Sequence, residues 1–365
     1  MKEDKIKAPT ADKQKLLKEA MADLQKKYGK GFISKLDDMK DIEVKYIPTG
    51  LMSLDYILGG GLAKGRIYEF SGMEGAGKSL LSMFLMATIQ KSGGTVALLD
   101  AENAFNSDFA AKIGLDVSNL ILSQETCLET VFETIETLVK TNALDLIVVD
   151  SVASLVPRSE LEGVLQDKEK MAQVARLMSR GLRTLVGPIS KSKTIVIFVN
   201  QLRDNLDLFS FQKTITPGGK ALKFYSSVRL EVKKGEKFLD KDKAQIGNVM
   251  KIKIVKNKVG FPFRECDLSL YYDRGVDLIA DIFEMGEKMG VLVKVGTTYM
   301  IEESGDNAVR REKIAVGKDA TKEAIAKKPE LQERIKEAVK NNELLLRAQP
   351  KMQDNKPEEV SEDEE

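Results

Sequence analysis

Residues 72–79 run Gly-Met-Glu-Gly-Ala-Gly-Lys-Ser, which fits G-x-x-x-x-G-K-[ST], the phosphate-binding loop of nucleoside triphosphatases. Gly72, Gly75 and Gly77, with Met73, Glu74 and Ala76 between them, let backbone N–H groups wrap phosphate oxygens. A helix opening at the end of such a loop adds a favourable dipole. Lys78 would neutralise the β- and γ-phosphates, and the Ser79 hydroxyl would ligate Mg²⁺. The flanks supply the required context. Arg66 to Ser71 reads as a strand and Leu80 to Ala87 as a buried helix. The chain is expected to bind a nucleoside triphosphate; an ordinary glycine turn before a helix is the bland alternative.

Asp150 closes the apolar run Leu146-Ile147-Val148-Val149 about 70 residues later. A carboxylate at such a strand end is where nucleoside triphosphatases hold Mg²⁺ or its water. Glu102 lies just past another strand, in Leu98-Leu99-Asp100-Ala101-Glu102. It could polarise an attacking water, or it could simply cap a helix or face solvent. Asn200-Gln201 follows a third strand, where an amide could sense a γ-phosphate. Two polar loops, Pro157 to Lys170 and Leu202 to Pro217, then leave the same sheet edge. They could line a channel for nucleic acid, with Arg176, Arg183, Arg203 and Lys220 contacting phosphates, or be plain solvated loops.

These groups need a scaffold that brings strand ends together. Val96–Asp100, Leu144–Asp150 and Thr194–Asn200 read as buried strands, with helices near 108–114, 127–142 and 168–187 between them. Apolar strands alternating with helices predict an α/β fold, a mostly parallel sheet covered on both faces. Ligands then bind beyond the carboxyl ends of the strands. Lys13 to Tyr28 is an amphipathic helix, ended by Gly29 and Gly31, that could pack on its own core or on a neighbour's. Val228–Val232 and Val249–Val255 read as later strands around a polar turn at 237–245. The expected division is an N-terminal helix and arm over 1–35, a core over 36–275, a small α+β module over 276–346, and a disordered acidic tail over 347–365.

Composition narrows the chemistry. The 365 residues are 42% apolar and 31% charged, as expected of a soluble globular protein. There is no histidine, so carboxylates, lysines and bound Mg²⁺ must do whatever catalysis there is. Two cysteines, Cys127 and Cys266, imply neither a disulfide framework nor a cysteine metal site. No apolar run reaches membrane length and the N-terminus has no apolar signal segment, so a cytoplasmic location is expected. The net charge of +1 hides an asymmetry between basic stretches such as Lys233-Lys234 and the acidic run 358–365. That run is either a solvated end or a competitor with polyanions for a basic surface.

Ser53-Leu54-Asp55, the phosphate loop, Asp100-Ala101-Glu102, Val148 to Ala153, Asn200-Gln201-Leu202-Arg203, Gly218-Gly219, Ala221 to Tyr225 and Lys256-Asn257-Lys258 stand in unbroken order. In these motifs the chain resembles the bacterial RecA recombinases, from about Lys13 to about residue 300, as a divergent member. The resemblance implies an ATPase that polymerises head to tail on single-stranded DNA, pairs it with a homologous duplex and exchanges strands. It implies ATP and Mg²⁺ as ligands, and single- and double-stranded DNA, further copies of the chain, loading proteins and a self-cleaving repressor as partners. By position, Lys78 and Ser79 match phosphate and Mg²⁺ contacts, Glu102 the group that activates water, Asp150 the Mg²⁺-linked acid and Gln201 the γ-phosphate sensor. Lys256 and Lys258 match lysines that reach the ATP of the adjacent subunit. The N-terminal helix matches a docking element, and Phe224 an interface residue that couples nucleotide state to filament geometry. Phe109 stands where the family has a tyrosine stacked on adenine, and Asn106 where it has an aspartate at the adenine edge. The second DNA loop, Asp204 to Phe209, is more acidic than the family's. A RecA-fold ring helicase and an ATP-binding regulator that never touches DNA are the alternative readings.

Overall fold

The computed structural model describes residues 11–29, 32–35, 44–163, 167–204, 214–304 and 309–348. Residues 349–365 of the expected tail and most of the second DNA loop lie outside them, while residues 347 and 348, expected in the tail, end the last helix. The chain divides into a unit over residues 1–45 and a second from Tyr46 onward. In the first, α1 (Ala11–Tyr28) is followed by Gly29 at φ 102. Beyond it Phe32 stacks on Tyr28 at 4.5 Å, and Gln25 Nε2 donates to the Ile33 carbonyl at 2.7 Å.

The second unit opens with β1 (Tyr46–Ile47), α2 (Met52–Leu58) and β2 (Leu62–Ala63). The alternating region follows as β3 (Ile67–Gly72), α3 (Lys78–Lys91), β4 (Val96–Asp100), α4 (Ser107–Lys112), β5 (Ile121–Ser123), α5 (Leu128–Lys140) and β6 (Leu146–Asp150). Two helices, α6 (Arg158–Leu161) and α7 (Asp167–Ser192), lead to β7 (Ile195–Gln201). Next come β8 (Arg203–Asp204), β9 (Thr214–Ile215), α8 (Ala221–Tyr225), β10 (Val228–Leu239), β11 (Gln245–Asn257), β12 (Glu265–Tyr271) and β13 (Gly275–Val276). The C-terminal part holds α9 (Leu278–Lys288), β14 (Leu292–Val295), β15 (Thr298–Ser304), β16 (Val309–Val316), α10 (Lys318–Lys327) and α11 (Pro329–Ala348).

Nine strands form one sheet in the order β13-β12-β11-β10-β3-β7-β6-β4-β5. The six from β10 to β5 run parallel, and β11 to β13 extend the sheet antiparallel. The mostly parallel α/β sheet read from the sequence is therefore present. Its central strands are buried on both faces: Ile195 to Val199 and Leu146 to Val149 are at most 1% exposed. Helix α5 lays Leu128, Val131, Phe132, Ile135 and Val139 on one face, a helical period that buries all five. Each such side chain contributes roughly 1.5–3 kcal/mol. The sheet order sets up the site, because the chain leaves β3 and returns at β4 only after room is left for β7 and β6. The carboxyl ends of β3, β7, β6 and β4 thus stand side by side.

Several boundaries differ from the sequence reading. The stretch from Pro157 to Lys170, read as a loop, contains α6, and α7 already begins at Asp167. That helix continues past residue 187 through Pro188, because Leu185 and Ile189 are buried and hold its last turns. The loop from Leu202 to Pro217 contains a short antiparallel pairing of Arg203 with Ile215 and Asp204 with Thr214. Strands β10 and β11 run well beyond the predicted segments as a ribbon, closed by a turn over 240–244. The β10 extension carries exposed Lys233, Lys234 and Lys237, and the β11 extension is Gln245-Ile246-Gly247-Asn248, so hydrophobic pattern alone does not show them. In the C-terminal part, β16, α10 and α11 add to the predicted helix and hairpin, and Phe283, Tyr299, Ile325 and Ile335 form a separate apolar cluster. Asp281 of α9 accepts from Met52 N at 2.6 Å, from Ser53 N and from the Ser53 hydroxyl, capping α2 from a distant part of the chain. Among the described residues no helix is long and apolar enough to cross a membrane.

Candidate functional site

The loop at 73–77 joins β3 to α3. Gly72 passes so close to β10 that a Cβ there would collide with the Val232 carbonyl oxygen, which excludes any other residue. Gly77, at φ 96, is the N-cap of α3 and has no side chain with which to cap it. The first N–H groups of α3 therefore face the loop, as a phosphate site requires. The Lys78 ammonium is buried and donates to the carbonyls of Gly72 at 2.9 Å and Met73 at 2.8 Å. Desolvation holds its pKa below the usual lysine value, against the pull of Asp150 and Glu102. The sequence reading did not anticipate Lys234. A Cβ built on Gly75 would stand 2.8 Å from the Lys234 Nζ, so β10 brings a second cation over the loop.

A small cavity of about 50 Å³ lies beside the loop, lined in part by Ser79, Asp100, Glu102, Phe105 and Asp150. Burial pushes Asp150 up to about 6; the charges of Glu102 and Asp100 add to this, while a hydrogen bond from Ser79 and the Lys78 charge oppose it. Asp100 is structural, accepting from the backbone N–H of Ala104 and Phe105 and from Gln124 Nε2. Among the described residues no group of three acidic, histidine or cysteine side chains could hold a metal by itself. The donor set suits Mg²⁺ all the same. That ion takes one or two protein oxygens together with phosphates, and a divalent charge would relieve the crowding around Asp150. Ser79 and Asp150 fit it.

Glu102 is not a detached surface acid. Its Oε1 accepts from Ser151 Oγ at 2.5 Å and from Gln201 Nε2 at 2.7 Å, and its backbone N–H donates to the Asp150 carbonyl at 3.2 Å. Gln201 is the last residue of β7, so the proposed sensor and the proposed water-polarising acid already touch. Ser151 was not singled out from the sequence. Its contact depends on β6 and β4 being neighbours, which no local pattern reveals.

Asn106 caps α4, its Oδ1 accepting from Phe109 N at 2.9 Å. The two residues expected near adenine therefore share one short helix, and neither lines the cavity. Lys256 and Lys258 are not brought to the loop. Lys256 pairs with Arg229, which pairs with Glu69, three residues before Gly72 and two strands from Lys256. At about 3.3 Å per residue and about 4.8 Å per strand, this separates the backbones by about 10 Å along the strands and about 10 Å across them. The Lys256 ammonium instead donates to the carbonyls of Lys223 and Phe224 at 2.6 and 3.1 Å. Desolvation and the nearby charges of Lys258 and Arg229 lower its pKa. Phe224 itself is 68% exposed.

The residues proposed for DNA fall mostly into one corner. A Cβ on Gly219 would stand 2.9 Å from that of Ala175, next to exposed Arg176 on α7. Gly218 packs on Val152, and Lys220 is the N-cap of α8. Arg203 pairs with Ile215 at the foot of the same loop. Arg183, two turns further along α7, gives its Nε to the Tyr225 hydroxyl at 3.2 Å, which raises its pKa.

A phosphate loop thus stands beside three strand-end carboxylates, with a glutamine bridging to one of them, and likeness to known proteins identifies the family. Residues 15–277 match the family model described as RecA N-terminal domain. Protein RecA of Thermus aquaticus is 40% identical over 329 residues, covering 90% of this chain and 94% of that protein. Protein RecA of Chloroherpeton thalassium is 40% identical over 345 residues, 94% of each. Protein RecA of Nostoc sp. is 39% identical over 335 residues, covering 92% of this chain and 91% of that protein. The chain belongs to the RecA family.

Proposed function

We propose that this protein is a DNA-dependent ATPase of recombination and repair. It polymerises head to tail on single-stranded DNA, pairs it with a homologous duplex and exchanges strands. The observation that carries this reading is the separation of the phosphate loop from Lys256 on one sheet, with Lys258 just past the end of the same strand. Lysines that cannot serve their own loop are suited to the loop of a neighbour, in the heterologous contact that builds filaments. Leu16 and Leu17, 66% and 60% exposed on α1, suit the docking of an N-terminal arm over 1–35 on an adjacent core over 36–275. The module over 276–346 and the tail over 347–365 complete the proposed division.

In this reading Lys78 and the N–H groups of α3 bind the phosphates, and Ser79 and Asp150 hold Mg²⁺, which neutralises phosphate charge. Glu102 orients and polarises the attacking water, with no histidine available for that role. Gln201 reports the γ-phosphate to the loop it precedes. Arg176, Arg203, Gly218, Gly219 and Lys220 contact the DNA backbone, Arg183 borders them, and α4 carries Phe109 and Asn106 to the base. The test is ATP hydrolysis with and without single-stranded DNA at low salt and micromolar protein, with electron microscopy of the same mixture. Stimulation by DNA together with helical filaments is expected. Absence of stimulation would reject the proposal, and unwinding of a forked duplex without pairing of homologous strands would replace it with a ring helicase.

A further inference from the structure

Two donors from different strands converge on one oxygen of Glu102. Ser151 Oγ approaches from the residue after β6, and Gln201 Nε2 from the end of β7. Ser151 is 0% exposed, so packing fixes its hydroxyl. The backbone of Glu102 is itself tied to the Asp150 carbonyl. What remains free to move is the Glu102 side chain, and the two donors hold it. A carboxylate oxygen has two lone pairs, and both on Oε1 are engaged. Anchors from two directions also oppose the rotation that would turn the carboxylate toward a water molecule.

We propose that Ser151 is a positioning residue that, together with Gln201, parks Glu102 in an idle orientation while the chain is free of DNA. When assembly on DNA lets Gln201 leave the carboxylate for a γ-phosphate, one anchor is lost and the Ser151 bond alone no longer fixes the side chain. Ser151 thereby suppresses hydrolysis away from the filament. The inference rests on the assignment of Glu102 as the water-polarising acid.

The experiment is steady-state ATP hydrolysis by full-length Ser151→Ala, with and without saturating single-stranded DNA. The DNA-free kcat should rise about tenfold, the worth of one hydrogen bond to a charged group. The KM for ATP and the DNA-stimulated kcat should stay within about twofold of wild type, because the serine acts on Glu102 alone. A purely structural role would instead lower both rates. A DNA-free kcat at or below the wild-type value overturns the proposal. If the alanine variant does not fold, Ser151→Cys, close in size and a weaker donor, carries the same expectation and the same refutation. Glu102→Gln separates the role of Glu102 from its parking. Wild-type hydrolysis in that variant removes the role of Glu102 and the parking with it. An inactive Glu102→Gln beside an unchanged Ser151→Ala removes the parking alone.

Discussion

Arg229 on β10 donates through Nε to the carboxylate of Glu69 on β3, whose side chain is completely buried. The other oxygen of Glu69 accepts from Asn200 Nδ2 at 3.1 Å, and the same amide donates to the Pro217 carbonyl at 3.3 Å. One buried charge therefore joins β10, the strand of the proposed sensor and the foot of the loop that follows it. Replacing Arg229 with alanine leaves that charge uncompensated and should cost about 3–5 kcal/mol. Urea unfolding at neutral pH measures this. A loss below about 1 kcal/mol would mean that solvent reaches Glu69.

Lys78→Ala and Glu102→Gln should both stop hydrolysis, for different reasons. Removing the lysine deletes charge from the phosphate site, so nucleotide binding weakens and kcat falls by about 100-fold or more. The glutamine variant keeps the loop intact and should bind nucleotide as wild type does. Titration with a fluorescent ATP analogue beside phosphate-release kinetics separates the two, and wild-type turnover in either variant contradicts its assigned role.

Asp150, pushed up to about 6, makes the site sensitive to mild acid. Its charged form is disfavoured in the folded chain, so this group subtracts stability above pH 6. The penalty is relieved as pH falls from about 6 toward the ordinary aspartate value near 4. Mg²⁺-dependent nucleotide affinity should run the opposite way, falling as the carboxyl protonates through about 6. Glu102→Gln removes one of the neighbouring charges that raise Asp150 and should move the midpoint of that titration to lower pH. Affinity measured from pH 5 to 8 in both proteins is the check, and coincident midpoints would refute the coupling.

Complementation can separate an active site shared between subunits from one contained in a single chain. Lys256→Ala and Glu102→Gln should each be inactive in DNA-stimulated hydrolysis. An equimolar mixture should recover about a quarter of wild-type activity, because random head-to-tail neighbours join an intact Glu102 to an intact Lys256 at one interface in four. No recovery in co-assembled filaments would confine both residues to one chain.

The parts of this site that were legible in the sequence are those whose chemistry is local. Gly72 to Ser79 carry their own turn, helix start and cation, and Asp150 ends a short β-branched apolar run that reads as a buried strand. What stayed hidden depends on strand order. Ser151 reaches Glu102 only because β4 lies beside β6, and Lys234 covers Gly75 only because β10 lies beside β3. The outer half of the ribbon from Val228 to Asn257 is held by backbone pairing of exposed lysines on β10 with a mixed stretch of β11, which leaves little apolar periodicity to read. Helix α7 was ended early at Gly187-Pro188, although burial of Leu185 and Ile189 outweighs the lost backbone bond.

On the proposed function, each working site pairs one molecule's loop with the lysines of the next, because Lys256 lies about 10 Å along and about 10 Å across the sheet from its own loop. Any row of such subunits has one phosphate loop with no lysines opposite it at one terminus, and one pair of lysines with no loop at the other. A row of n molecules then has n − 1 working sites. Turnover per molecule climbs steeply through the first few additions and levels off in long rows. Fragmentation alone, without any chemical change, would quiet the enzyme, and the terminal molecule would hold its nucleotide unspent.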